Sequence, residues 1–119
     1  MLLKDIVDAV NANVLAGGEI LPQREITTVS ACDLMSDVLA FAKPGILLVT
    51  GLANSQVVRT AAVAQLSGVI IVRGKRPGAE TIELAKRMRV PLLSTSKHMF
   101  ELCSELFKIG LVGTSSDRS

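Results

Sequence analysis

Three short stretches carry side chains able to hold an anion: Thr50-Gly51 followed by Asn54-Ser55, then Arg73-Gly74-Lys75-Arg76, then Ser94-Thr95-Ser96. The first offers a hydroxyl, a flexible turn and the N–H groups of a helix start, a physically sound cradle for a phosphate or carboxylate. Its simpler alternative is a tight turn at Gly51 with Asn54 only capping the helix, and neither a Walker motif nor a GxGxxG pattern stands beside it. The second stretch supplies three cations, or else a solvated loop. The third adds hydroxyl donors, although Ser96 also suits a helix cap. Each stretch closes a short apolar run, so neighbouring strands would bring all three to one crevice. The predicted ligand contacts are therefore Thr50, Gly51, Asn54, Arg73, Gly74 and Thr95, with Arg73 making the charge-assisted bond.

Other reactive side chains point less far. Asp33 and Asp37 lie four apart and would share a helical face, where paired carboxylates serve acid–base chemistry or bind a cation. Capping by Asp33 and solvation of Asp37 explain them more simply. His98 suits a general base or an exposed first-turn residue, and Arg59 an ion pair or a subunit contact. Lys86, Arg87 and Arg89 are balanced by Glu80 and Glu83, which favours a solvated helix over an RNA-binding face. No nucleophile, base and orienting group occur as a set, so the expectation is a non-enzyme. A small enzyme or phosphate-transfer accessory using the same strand-end hydroxyls and Arg73 is the alternative.

Composition narrows the class. The chain has 119 residues, 49% hydrophobic and 20% charged, which suits one globular domain. Aromatics are 3% with no Trp or Tyr, and the net charge is +2. That balance leaves nucleic acid an improbable partner, with neither stacking platforms nor a strong positive field. Cys32 and Cys103 stand far apart outside any CxxC pair and read as two buried free thiols in a reducing cytosol. With one histidine and no ligand cluster, neither a metal nor a cofactor is expected. Met1-Leu2-Leu3 meets Lys4 and Asp5 at once, unlike a signal peptide. No apolar run nears the roughly 20 residues of a membrane span, so a cytoplasmic location is expected.

The positioning elements follow from periodicity. Leu3, Ile6, Val7 and Val10 mark a helix within residues 2–13, and 14–16 form a short extended piece before a Gly17-Gly18 turn. Residues 25–29 alternate like a strand with one solvated face. Asp33 should cap a helix from Leu34 to about Ala42, with Leu34, Val38 and Phe41 sharing a face, and Lys43-Pro44-Gly45 should stop it. Unbroken apolar runs at 46–50, 69–72 and 91–94 have the character of strands buried on both faces. Between them, helices run from Asn54 or Ser55 to about Leu66 and from Ala79 to about Met88, the latter with Ile82 and Ala85 inward. A last helix spans about Lys97 to Lys108, with Met99, Leu102, Cys103, Leu106 and Phe107 at core spacing. The sum is an α/β fold: one domain over 1–112, a three-layer sandwich with a mainly parallel sheet and helices on both faces. Residues 113–119 are expected to be a disordered tail.

With these elements placed, a resemblance appears. Cys32-Asp33-Leu34-Met35-Ser36-Asp37-Val38-Leu39, Lys43-Pro44-Gly45 and Leu47-Leu48-Val49-Thr50-Gly51 resemble the DRTGG domain family. So do Val72-Arg73-Gly74-Lys75-Arg76-Pro77, Thr81-Ile82-Glu83-Leu84-Ala85 and Val90-Pro91-Leu92-Leu93-Ser94-Thr95. DRTGG domains are similar to the N-terminal domain of bacterial HPr kinase/phosphorylase. They also occur beside CBS domains in some pyrophosphatases and before the catalytic domain of some phosphotransacetylases. The resemblance implies a regulatory or assembly module of a cytoplasmic prokaryotic system, often dimeric and without established catalysis. This chain departs from the family's name motif: Leu52-Ala53-Asn54 stands where relatives carry an acidic-basic pair, and Arg73-Gly74-Lys75 where many have Thr-Gly-Gly. The expected function is ligand sensing and dimerisation, with a small anionic or nucleotide ligand and a protein partner not identified by the sequence. Its hydrophobic share of 49% also favours a homodimer, with Met35 and Leu39 of the 34–42 helix as the candidate interface.

Overall fold

The apolar runs pair into one sheet. In the computed structural model, which describes residues 1–114, six strands lie in the order β1-β5-β4-β3-β2-β6. They are β1 (Asn13–Ala16), β2 (Thr28–Ala31), β3 (Ile46–Thr50), β4 (Gly68–Ile71), β5 (Leu92–Ser94) and β6 (Val112–Gly113). β2 through β5 are mutually parallel, as the helical crossovers require, and β6 joins β2 in parallel. Only β1 runs antiparallel, on the far side of β5.

Helices cover both faces, as the unbroken apolar strands predict. Leu48, Val69, Ile71 and Leu92 meet the buried sides of α2 (Met35–Ala40), α3 (Ser55–Val63) and α4 (Ala79–Met88). On the other face Leu47, Val49, Ile70 and Leu93 meet α1 (Leu3–Val10) and α5 (Met99–Lys108). Alternate residues of one strand thus serve two cores. Gly68 permits this closeness: a Cβ there would lie 2.9 Å from the Leu3 side chain.

Several expectations are corrected. The second strand begins at Thr28 rather than Glu25; within it Thr28 is buried, Val29 and Ser30 are half-buried and Ala31 is exposed. Its register follows from pairing Thr28 with Ile46 of β3, while Glu25 makes an isolated bridge to Leu2. Asp33 caps nothing: α2 starts at Met35 behind Leu34, which makes no side-chain cap. Its inward residues are Met35 and Val38, one turn apart, whereas Leu34 and Phe41 are exposed. The helix is rotated on the sheet from the predicted face: Val38 packs inward as expected, Met35 is buried in the core rather than at an interface, and Leu39 is exposed.

The last helix starts at Met99, with His98 rather than Ser96 at its N-cap position and no side-chain cap bond. Leu102 and Leu106 face the core, and Phe107 faces outward. Both cysteines are free and half-buried rather than buried, Cys103 because it sits on the flank of α5 beside the core. Gly113, assigned by sequence to the tail, pairs with Val29 in the sheet. Residues 115–119 of that expected tail lie outside the described residues. No helix among the described residues is long and apolar enough to cross a membrane.

Candidate ligand site

The carboxyl ends of β3, β4 and β5 are in register, with Thr50 beside Ile71 and Ile71 beside Ser94. The three predicted stretches therefore leave the sheet side by side. Backbone bonds then staple the exits together. Val72 N–H donates to the Thr50 carbonyl at 3.0 Å, Arg73 N–H to the Lys97 carbonyl at 2.8 Å, and Gly74 N–H to the Thr95 carbonyl at 2.8 Å. Arg73 and Gly74 both adopt left-handed backbone, φ +64° and +65°. Glycine takes that conformation freely, while arginine does so only where surrounding bonds hold it. The paired reversal turns the following segment, Lys75-Arg76-Pro77, back toward β5.

A cleft of about 430 Å³ opens between these loops. Gly74, Lys75 and Arg76 form one rim, and Ser94, Thr95 and Ser96 the other. Leu15 of β1, Pro77 and Ile82 of α4 supply an apolar wall. Thr95 is buried, and its hydroxyl accepts the Lys97 N–H at 3.2 Å, which fixes the β5 exit. Lys97 is tied down in turn, its ammonium donating to the Val10 carbonyl at 2.6 Å and pairing with Glu105 at 2.8 Å.

Beside the cleft lies a second polar cluster. The Asp33 Oδ1 accepts both the Thr50 hydroxyl and the Gly51 N–H at 2.8 Å. Thr50 Oγ1 also accepts the Leu52 N–H at 3.2 Å. An internal carboxylate thus occupies the turn that the sequence offers to an anion. The Gly51 N–H, then the Thr50 hydroxyl, hold the Asp33 carboxyl below its usual range against a smaller opposing effect of burial; Arg73 and Lys75 add positive potential. Arg73 reaches over the turn: a Cβ on Gly51 would lie 3.2 Å from its Nη2 and 3.6 Å from Asp33 Oδ2.

Of the six residues predicted to touch a ligand, Gly74 and Thr95 line the cleft. Thr50 and Gly51 serve Asp33, and Asn54 Oδ1 accepts the Val57 N–H at 3.2 Å as the cap of α3. Arg73 stands between the two groups. Leu15, Pro77 and Ile82 were missed as lining residues, since only the antiparallel docking of β1 on β5 brings Leu15 there. Asp33 lies before α2, so it shares no helical face with Asp37. His98 and Arg59 are both exposed. Among the described residues no three His, Cys, Asp or Glu side chains group as metal ligands.

No curated protein matches this chain. A solved structure resembles it with a TM-score of 0.69 at 19% identity, a likeness of fold. That structure holds the CBS and DRTGG domains of the regulatory region of Clostridium perfringens pyrophosphatase, complexed with its activator diadenosine tetraphosphate. The match covers 88% of this chain and 45% of that one, so this chain spans under half the length of its neighbour. The DRTGG domain pattern matches residues 5–109, nearly the whole sheet and every helix that frames the cleft. This chain belongs to the DRTGG domain family.

Proposed function

We propose that this chain is a non-catalytic regulatory module that senses a small anionic ligand, of nucleotide type, in the cleft at the carboxyl ends of β4 and β5. One observation carries the reading: the Gly74–Arg76 rim sets two cations opposite three hydroxyl-bearing residues, above an apolar wall. Cations and hydroxyls suit phosphate, and the wall of Leu15, Pro77 and Ile82 suits a base or another flat apolar group. The solved neighbour, a regulatory region that holds a dinucleoside polyphosphate, supports a ligand of this class. In this proposal Gly74, Thr95 and the rim cations Lys75 and Arg76 hold the phosphate, with Arg73 beside them. Thr50, Gly51 and Asn54 form the adjoining frame, which a ligand enters only by displacing Asp33. The module works in the cytoplasm as a homodimer and passes its state to a protein partner.

A thermal-shift screen tests this reading, with nucleotides, diadenosine tetraphosphate, pyrophosphate and phosphorylated metabolites. A ligand at a hundred times its dissociation constant adds about 2.7 kcal/mol to the native state, a shift easily seen in the melting temperature. No shift with any phosphate-bearing compound at millimolar concentration overturns the proposal.

A further inference from the structure

The three phenylalanines are the only aromatic residues of this chain, and all three are on the surface. Two share one helix: Phe100 and Phe107 of α5 are 79% and 71% exposed. Seven residues apart, they lie two turns along one face, with the small Ser104 between them. Leu102 and Leu106 hold the opposite flank of α5 in the core. Exposed phenyl rings at this spacing on a rigid helix form an apolar stripe of the kind that covers itself in an assembly.

The charges beside the stripe select the occupant. Glu101 and Lys108 border it on one side, both exposed, and neither has an ion-pair partner among the described residues. We infer that α5 is the surface on which a second copy of this chain docks, antiparallel across a two-fold axis between Cys103 and Ser104. In that arrangement Phe100 of one copy faces Phe107 of the other, and Glu101 faces Lys108, each pair formed twice. Phe107 also edges a groove of about 350 Å³ shared with Cys103 and Val112, where Phe100 of the second copy has room to settle. α2 also exposes Leu39, but it carries Asp37 and no base, so two copies of it offer no opposite charges. The inference rests on the homodimer part of the proposed function and adds the place and the symmetry. Four phenyl rings and their neighbours make a small interface, so the dimer should dissociate on dilution.

Sedimentation equilibrium over a concentration series is the test, with Phe100→Ser, Phe107→Ser, Glu101→Lys, Lys108→Glu and the Glu101→Lys/Lys108→Glu pair. The parent chain should be dimeric at high micromolar concentration and either phenylalanine variant monomeric. Each single charge variant should weaken the dimer by about 2–30-fold through its two exposed pairs, and the combined variant should restore it. A monomeric parent chain overturns both the dimer and this surface. A dimer untouched by the phenylalanine variants overturns the surface alone. Should those variants misfold, failure of the exchanged charges to restore association overturns the antiparallel pairing.

Discussion

Asp33 and Gly51, eighteen residues apart, meet at 2.8 Å, where the carboxylate Oδ1 accepts the turn's N–H. The same oxygen takes the Thr50 hydroxyl, so one exposed acid closes the exit of the central strand β3. Since the folded state lowers the pKa of Asp33, its bonds stabilise the fold fully above the unfolded carboxyl value of about 3.9. That contribution fades as the pH falls through the lower folded value.

Asp33→Ala should therefore cost about 1 kcal/mol at neutral pH, a figure reduced for solvent exposure. Urea midpoints of the parent chain and the variant should converge progressively as the pH falls below the unfolded carboxyl value of about 3.9. A gap of constant size from neutral pH into strong acid contradicts the assignment.

Loss of a cation from the cleft should weaken anion binding. Arg76→Ala and Arg73→Ala are each expected to cost about 1.5–3 kcal/mol of affinity for the phosphate-bearing compound that stabilises the chain most. Calorimetric titration measures this directly. Unchanged affinity in Arg76→Ala moves the ligand out of the cleft, and unchanged affinity in Arg73→Ala leaves that guanidinium serving only the Gly51 turn.

Asn54 holds the start of α3 through its bond to the Val57 N–H. Asn54→Ala should lower stability by about 1 kcal/mol, and Asn54→Asp, which keeps an acceptor, should lose little. Equal losses in the two variants, read by chemical denaturation, would show that the side-chain cap is not what matters there.

Thr28 is 1% exposed, and its hydroxyl has no hydrogen-bond partner among the described residues. Burying an unsatisfied hydroxyl is unfavourable, so Thr28→Val, nearly equal in shape, should raise stability by about 1 kcal/mol. A drop in the melting temperature of that variant would mean that the hydroxyl is satisfied in solution.

Much of the scaffold was legible because its signals are local. The run Ile46–Thr50, short, apolar and bounded by Gly45 and Gly51, has the character of a strand covered on both sides, and it is one. Asn54 announces a helix start by its own hydrogen-bonding reach, and α4 spans Ala79–Met88 as its apolar spacing predicts. The exits at Thr50, Arg73 and Ser94 could be brought together on paper, since a parallel sheet sets its carboxyl ends along one edge.

What the tertiary structure alone decided depends on contacts between distant segments. That β1 turns antiparallel against β5, adding Leu15 to the cleft, is a matter of sheet order, which no window of residues around 13–16 encodes. That Asp33 closes the Thr50-Gly51 turn instead of capping α2 follows from β2 pairing in register with β3, which sets Cys32 and Asp33 beside the end of that strand. That Phe107 faces outward while Leu106 faces in depends on the angle at which α5 meets the sheet, since periodicity names an apolar stripe but not its centre. Short-range chemistry chose the elements and their ends; the packing of one element on another chose which side chains meet.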